Sequence, residues 1–175
     1  MNLYLNFVAA DELRKSTGIQ DHKAMRTLGN ILWHIPFLGF ISAFFTFLIG
    51  GILVLTVVGA PIGLGLLQLA RFLLTPFTMS MISKRDLRND QNRLWLAFGF
   101  LVRIIYFPFG LILAVITIFQ IAGMFLSIVG IPVALVLAKS LGTYFNPVNK
   151  VCVPVEVVDE VHRRKARAYT DRAGR

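Results

Sequence analysis

The sequence contains little charge, and very little of it is acidic. Only 15% of the 175 residues are charged, and nine are Asp or Glu, whereas an average soluble domain is about 25% charged. No charged residue interrupts residues 27–70. About 20 apolar residues already cross a bilayer, so this run is too long for one core helix of a soluble protein. The composition excludes an ordinary cytosolic enzyme, a disordered chain and a secreted disulfide scaffold. It indicates a small multi-spanning membrane protein.

Cysteines, catalytic motifs and metal-ligand clusters are also scarce. Cys152 is the single cysteine, so no intramolecular disulfide can form. The three histidines, at 22, 34 and 162, stand apart from one another, and every carboxylate lies outside the long apolar segments. The chain has no nucleophile elbow, phosphate-binding loop or dinucleotide fingerprint. We therefore expect no enzyme activity, no metal site and no cofactor.

The basic residues, which give a net charge of +9, flank the apolar segments in three clusters. This placement is typical of a topology signal and not of a nucleic-acid-binding face. The positive-inside rule puts all three clusters in the cytoplasm, and with them both termini. The predicted division is a cytoplasmic N-terminal segment, a first membrane unit, a basic linker, a second membrane unit and a basic cytoplasmic tail, at residues 1–27, 28–83, 84–93, 94–149 and 150–175.

The two membrane units resemble each other when Leu55 is placed on Leu126, which we call the repeat alignment. Residues 55–62 (LTVVGAPI) then fall on residues 126–133 (LSIVGIPV), and Thr75-Pro76-Phe77 falls on Asn146-Pro147-Val148. Each unit has a long apolar limb, a Gly-x-Pro break and a shorter return limb. Proline removes a backbone donor and restricts the residue before it. We therefore expect a turn between two helices at each break, at Gly59 and Pro61 and at Gly130 and Pro132.

These features predict an all-α, polytopic helical membrane protein built from two parallel-duplicated helical hairpins with four limbs. The long limbs, Pro36–Val58 and Ile105–Val129, are the expected spans. The return limbs, Pro61–Ile82 and Pro132–Val148, are re-entrant, interfacial or spanning. The turns carry no polar side chain, so their apices are expected at or below the far membrane surface. Trp33 and Trp95 follow basic boundaries and are expected to be interface anchors, with a core or lipid-facing position as the alternative.

The return limbs carry polar stripes at helical spacing. Gln68, Arg71, Thr75 and Thr78 are spaced 3, 4 and 3 residues apart, and Lys139, Thr143, Asn146 and Lys150 are spaced 4, 3 and 4 apart. Either the stripes line a wet pathway in which Arg71 and Lys139 attract anions, or the limbs lie in the interface and the cations reach toward lipid phosphates.

The segment from Lys150 to the end of the sequence changes in character. Valines alternate with other residues from Val151 to Val157, which predicts a short strand that Pro154 confines to an edge. This strand could pair between subunits. Residues 158–175 are polar and basic. They are expected to form a solvated tail that fixes topology, with weak binding to anionic lipid as the alternative.

Gly130-Ile131-Pro132, followed seven residues later by Lys139, resembles the YccF-type family of inner membrane proteins. Each unit adds an aromatic start, an apolar limb, a Gly-x-Pro turn and a closing proline motif, and the resemblance covers residues 28–150. It implies residence in the bacterial inner membrane and supplies no catalytic chemistry.

Two functions remain open from the sequence. One is an oligomeric, channel-like permeation protein whose return limbs favour anions. One chain with two hairpins encloses little volume, so this function requires a symmetric homo-oligomer. The other is a non-transporting membrane scaffold or accessory subunit that binds anionic lipid or a partner protein. Neither function involves nucleic acid.

Overall fold

The computed structural model describes residues 20–35, 37–87 and 93–173, and these residues are predominantly helical. The helices are α1 (Gln20–His34), α2 (Gly39–Leu55), α3 (Ala60–Leu74), α4 (Arg93–Phe125), α5 (Ile131–Phe145) and α6 (Val155–Ala173). The strands are β1 (Met79–Ser83) and β2 (Lys150–Pro154), and 3₁₀ turns cover Lys84–Leu87 and Ile128–Gly130. The helical class is therefore confirmed, and the chain also forms a two-stranded sheet that the all-α prediction did not include.

The Gly-x-Pro breaks join helices that pack on each other. We call α2 with α3 the first hairpin and α4 with α5 the second hairpin. Gly59 precedes α3 with φ −80° and ψ −13°, and Gly130 precedes α5 with φ −78° and ψ −15°. Pro61 and Pro132 lie in the first turn of these helices, where the missing N–H has no helical partner in any case. The structure therefore places both Gly-x-Pro breaks at the start of a return helix.

The return helices are shorter than predicted. Each has 15 residues, about 22 Å at 1.5 Å per residue, less than the roughly 30 Å of a hydrocarbon core. The prediction of helix as far as Ile82 is wrong, since β1 occupies that segment. Thr75, the residue before Pro76, has φ −143° and ψ 62° and ends α3, because proline disfavours helix in its predecessor.

The two strands pair within the chain. β1 and β2 are antiparallel, with Met81 opposite Cys152 at the centre and Ser83 opposite Lys150 at one end. The predicted strand is confirmed for residues 150–154. The prediction is wrong from Val155 onward, because α6 begins there. β2 has its partner strand in the same chain and does not need one from another subunit. Most of the polar, basic segment predicted over residues 158–175 lies in α6, which has no buried residue.

One helix in the described ranges is long and apolar enough to cross a membrane. It covers Leu96–Phe125 within α4, with a mean hydropathy of 2.3 in its most apolar window. Only 17% of that window is buried, whereas the core helix of a soluble protein is mostly buried. α1 and α2 pass the same test only as a pair, bent by 76°. The predicted span Pro36–Val58 thus contains a single helix, α2, which has 17 residues. Pro36 lies outside the described residues.

The buried core lies around α3. Leu69 and Phe72 are completely buried there, and they pack with Trp33, Ala43 and Val136. The core therefore joins the end of α1, the first hairpin and α5, and it places the polar residues of both return helices beside the sheet.

Candidate functional site

Two polar side chains of the return helices bond to the segment that follows the opposite return helix. Gln68 Oε1 on α3 accepts a hydrogen bond from the Cys152 N–H on β2, at 3.1 Å. Lys139 Nζ on α5 donates to the carbonyl oxygens of Pro76 at 2.7 Å and Met79 at 3.3 Å. We call these the crossed bonds, because each one ties a hairpin to the other hairpin's strand or loop.

Lys139 also has an aromatic partner. Its Nζ lies 5.9 Å from the centre of the Phe72 ring, within the range in which a cation is attracted to an aromatic face. Two carbonyl acceptors and this ring provide for an ammonium group in an apolar helix. The prediction that Lys139 contacts anions remains untested, but its Nζ donors are turned toward the protein backbone.

The other stripe residues lie near the two proline breaks. Thr78 Oγ1 donates to the Thr75 carbonyl at 3.2 Å, and Asn146 Oδ1 accepts from the Val148 N–H at 3.3 Å. Thr143 is 1% exposed. Thr78 and Asn146 therefore supply partners for backbone groups close to the proline breaks after α3 and α5.

Arg71 differs from the rest of its stripe because it is exposed and faces a cavity. This cavity, of about 220 Å³, lies between the first half of α3 and the sheet end where Ser83 pairs with Lys150. We call it the cationic cavity. Its polar lining consists of Gln68, Arg71, Lys84, Asn149 and Lys150.

The backbone positions two of these lining residues. The Lys84 N–H donates to the Asn149 carbonyl at 2.9 Å, which continues the sheet by one bond. Asn149 has φ 60°, a left-handed conformation that Asn tolerates better than most residues. Lys84 was not singled out from the sequence. Lys84 comes close to Lys150 only because β1 pairs with β2. No local sequence pattern predicts that pairing.

Charged groups outside the cavity lining act on Lys150, one of the cations that line it. Burial lowers the pKa of Lys150, and the charge of Arg103 lowers it further, while Asp86 acts in the opposite direction. Asp86 Oδ1 is itself bonded to Lys165 Nζ at 2.6 Å. The half-buried Cys152 thiol has a raised pKa through burial, which the charge of Arg71 partly offsets. This arrangement can hold an anion and has no nucleophile paired with a base.

The predicted interface anchors have different outcomes. Trp33 is 5% exposed and its indole N–H donates to the Leu73 carbonyl at 2.8 Å. It occupies the alternative position considered from the sequence, that of a core aromatic. The side chain of Trp95 lies outside the part of the chain that the structure describes.

Comparison with known proteins gives a match to a family model. Residues 28–78 match the YccF family, described as an inner membrane component domain. This segment runs from α1 through the first hairpin to the residue before β1. No curated protein and no solved structure matches the chain. The resemblance seen in the sequence is confirmed for residues 28–78, and for the second unit it remains a prediction.

Proposed function

Since residues 28–78 of this chain match the inner membrane component domain of the YccF family, we propose that the protein is a non-transporting scaffold or accessory subunit of the bacterial inner membrane. It holds two duplicated hairpins in the bilayer and presents a basic surface on the cytoplasmic side. The proposal includes no enzymatic reaction and no cofactor. Its partners are anionic lipids and a protein of the same membrane.

The exposed surface supports a membrane position. Many large apolar side chains on α2 and α4 are more than half exposed, Phe44 at 58% and Phe119 at 74% among them. Soluble monomers rarely expose contiguous apolar patches larger than a few hundred Å². Lipid is the solvent in which these faces would be stable, so α2 and α4 are proposed to contact acyl chains.

The positions of the elements support duplication of the hairpin unit. The repeat alignment places the bounds of α3 on those of α5 and the bounds of β1 on those of β2. Gln68 and Lys139, which form the crossed bonds, are equivalent in the same alignment. So are Leu73 and Tyr144, whose carbonyls accept bonds from aromatic side chains on α1 and α4 respectively.

The strand register supports a two-fold relation between the units, and a parallel duplication follows if the axis lies along the membrane normal. Met81 and Cys152, which face each other at the centre of the sheet, are also equivalent in the repeat alignment. The pairing is therefore symmetric about its centre, and antiparallel strands are related by a two-fold axis perpendicular to their sheet. With this axis along the membrane normal, both hairpins point the same way and the basic clusters with both termini are cytoplasmic.

The crossed bonds are the observation that favours a scaffold over a channel. Gln68 and Lys139 are long polar side chains in the middle of their return helices, and both are occupied by backbone groups of the opposite unit. A pore lined by the stripes would have to break these bonds. The return helices, at about 22 Å, are also too short to line a full crossing.

An oligomeric channel that favours anions is the second candidate. The cationic cavity favours it, because Arg71 is exposed there beside Lys84 and Lys150. A conducting path would require several copies arranged around a closed symmetry axis.

Reconstitution tests the choice between these functions. The full chain is placed in vesicles of phosphatidylethanolamine and phosphatidylglycerol, and chloride efflux is recorded beside vesicles without protein. Stoichiometry is measured on the same preparation by native mass spectrometry. A scaffold gives the efflux of empty vesicles. A closed ring of five or more copies, with efflux that Arg71→Gln reduces and Arg85→Gln does not, would establish the channel and refute the scaffold.

A further inference from the structure

The cationic cavity is a site in its own right, separate from the crossed bonds. Arg71, Lys84 and Lys150 come from α3, the 3₁₀ turn after β1 and the start of β2, and they meet at one opening. We propose that this cavity binds a phosphate group, supplied by an anionic lipid headgroup or by free phosphate. The inference rests on the proposed function in one respect, since a membrane position brings lipid headgroups to this depth.

The first argument is the absence of carboxylates from the lining of the cavity. No Asp or Glu lines the cavity, and within the described ranges no salt bridge involves Arg71, Lys84 or Lys150. The nearby carboxylate of Asp86 bonds to Lys165. A bound anion with several acceptor oxygens would form charge-assisted hydrogen bonds with these cations.

The second argument comes from the other unit, which provides an internal comparison. The three cations have neutral counterparts in the repeat alignment: Gly142 for Arg71, Val155 for Lys84 and Met79 for Lys150. Lys139, the counterpart of Gln68, has its Nζ bonded to two backbone carbonyls. A general topology signal needs cations on the cytoplasmic side, but it does not need three of them at one of two equivalent positions and neutral residues at the other.

The third argument is the composition of the remaining wall. Gln68 and Asn149 add side-chain amides, which donate hydrogen bonds to phosphate oxygens. Pro61, Leu64 and Leu67 form an apolar wall on the α3 side. Amide donors and three cations suit a phosphate group, and the apolar wall gives an acyl chain a surface to follow. A lipid phosphate uses both parts of the site, whereas free phosphate uses only the polar part.

The test measures binding of dioctanoyl phosphatidylglycerol to the full chain in a neutral detergent. Dissociation constants are determined for the wild type, Lys84→Gln and the matched control Arg85→Gln. Arg85 is the next residue but lines the groove beside α6 instead of the cavity. Added salt screens diffuse attraction to surface charges. We expect Lys84→Gln to weaken binding about tenfold or more, the effect of one hydrogen bond to a charged group. Arg85→Gln should change it by less than about twofold, because salt screens the charge of a residue outside the cavity.

Several outcomes decide the proposal. Equal weakening by both variants, or no binding to the wild type, would overturn it. Lys84→Arg keeps the charge and should retain binding, which separates loss of the site from loss of the fold. Displacement of the lipid by inorganic phosphate, compared with sodium chloride at the same ionic strength, identifies free phosphate as the source of the group. Lack of displacement identifies the lipid headgroup.

A second measurement needs no variant. Bound phosphatidylglycerol should protect Lys84 and Lys150 from acetylation by an N-hydroxysuccinimide ester, while Lys165, which pairs with Asp86, reacts as before. Equal reactivity of all three lysines with and without lipid would contradict the site. A chain that fails this test yet resists carbonate extraction from membranes loses the phosphate site and keeps the scaffold function. A chain that binds lipid but conducts chloride keeps the site and loses the scaffold function.

Discussion

Gly65→Ala should separate the two hairpins, because Gly65 lies where α3 passes the backbone of the other unit. A Cβ atom at this position would overlap the carbonyl oxygen of Pro147 and lie 2.6 Å from its carbonyl carbon. Pro147 is buried and its carbonyl belongs to the backbone, so no side chain can rotate away to make room. Overpacking of this kind costs about 1–3 kcal/mol.

The matched control is Gly142→Ala on α5, where no atom lies within 4 Å of the added methyl group. There the substitution only replaces glycine by a better helix former and is expected to stabilise the protein by about 0.5–1 kcal/mol. Both glycines lie inside helices, so the helix-propensity gain is common to the two variants. Their free energies of unfolding should therefore differ by about 1–3 kcal/mol, the overpacking cost at Gly65.

The assay is reversible unfolding of the full chain in mixed micelles, with the mole fraction of dodecyl sulfate as denaturant and circular dichroism as the signal. Gly65→Ala should lower the midpoint and Gly142→Ala should raise it slightly. If the two variants unfold at the same midpoint, α3 does not pack against the Pro147 carbonyl, and the described contact between the hairpins is refuted.

Three further predictions concern the sheet and the core. Because burial raises the pKa of the Cys152 thiol and the thiolate is the nucleophile, maleimide should react with it more slowly at neutral pH than with a free thiol. The pH at which the reaction rate of Cys152 rises should lie above that of a free thiol. Arg71→Gln should move it to still higher pH, because the charge of Arg71 lowers the pKa. A shift to lower pH in this variant would contradict that role of Arg71. Met81→Cys, opposite Cys152, should form an intrachain disulfide on oxidation that stabilises the chain by about 2–4 kcal/mol; intermolecular products alone would contradict the register. Trp33→Phe removes the donor to the Leu73 carbonyl and should lower the free energy of unfolding by about 1–3 kcal/mol, and an unchanged midpoint in the same denaturation assay would place the indole elsewhere.

The turns could be predicted from the sequence because their causes are local. Proline at the second position of a helix has the same consequence in any surroundings. The structure accordingly places Gly59 and Gly130 directly before α3 and α5 with nearly identical backbone angles. Thr75-Pro76 is the same kind of local signal for the end of α3. The predicted helix was continued past it to Ile82 because apolar residues follow the proline.

The sheet could be predicted only in half. β2 alternates valines with other residues, which is the pattern of a strand with one buried face. β1 reads MSMIS and follows an apolar helix without a clear change in residue type, so nothing local distinguishes it from another helical turn. Its strand conformation depends on β2, which lies beyond the whole second hairpin in the sequence. The position of Lys84 in the cationic cavity depends on the same pairing.

The polar stripes show why helical periodicity of polar residues does not by itself establish a pore. A row of polar residues on an apolar helix indicates that the facing environment is polar, but it does not identify that environment as water. Proline breaks such as the one at Pro76 free carbonyl groups, and these must find donors inside the protein when lipid surrounds it. Lys139 meets that need with bonds to the Pro76 and Met79 carbonyls. Arg71 has no such partner among the described residues, and the proposed phosphate would contact it in the cavity that it faces.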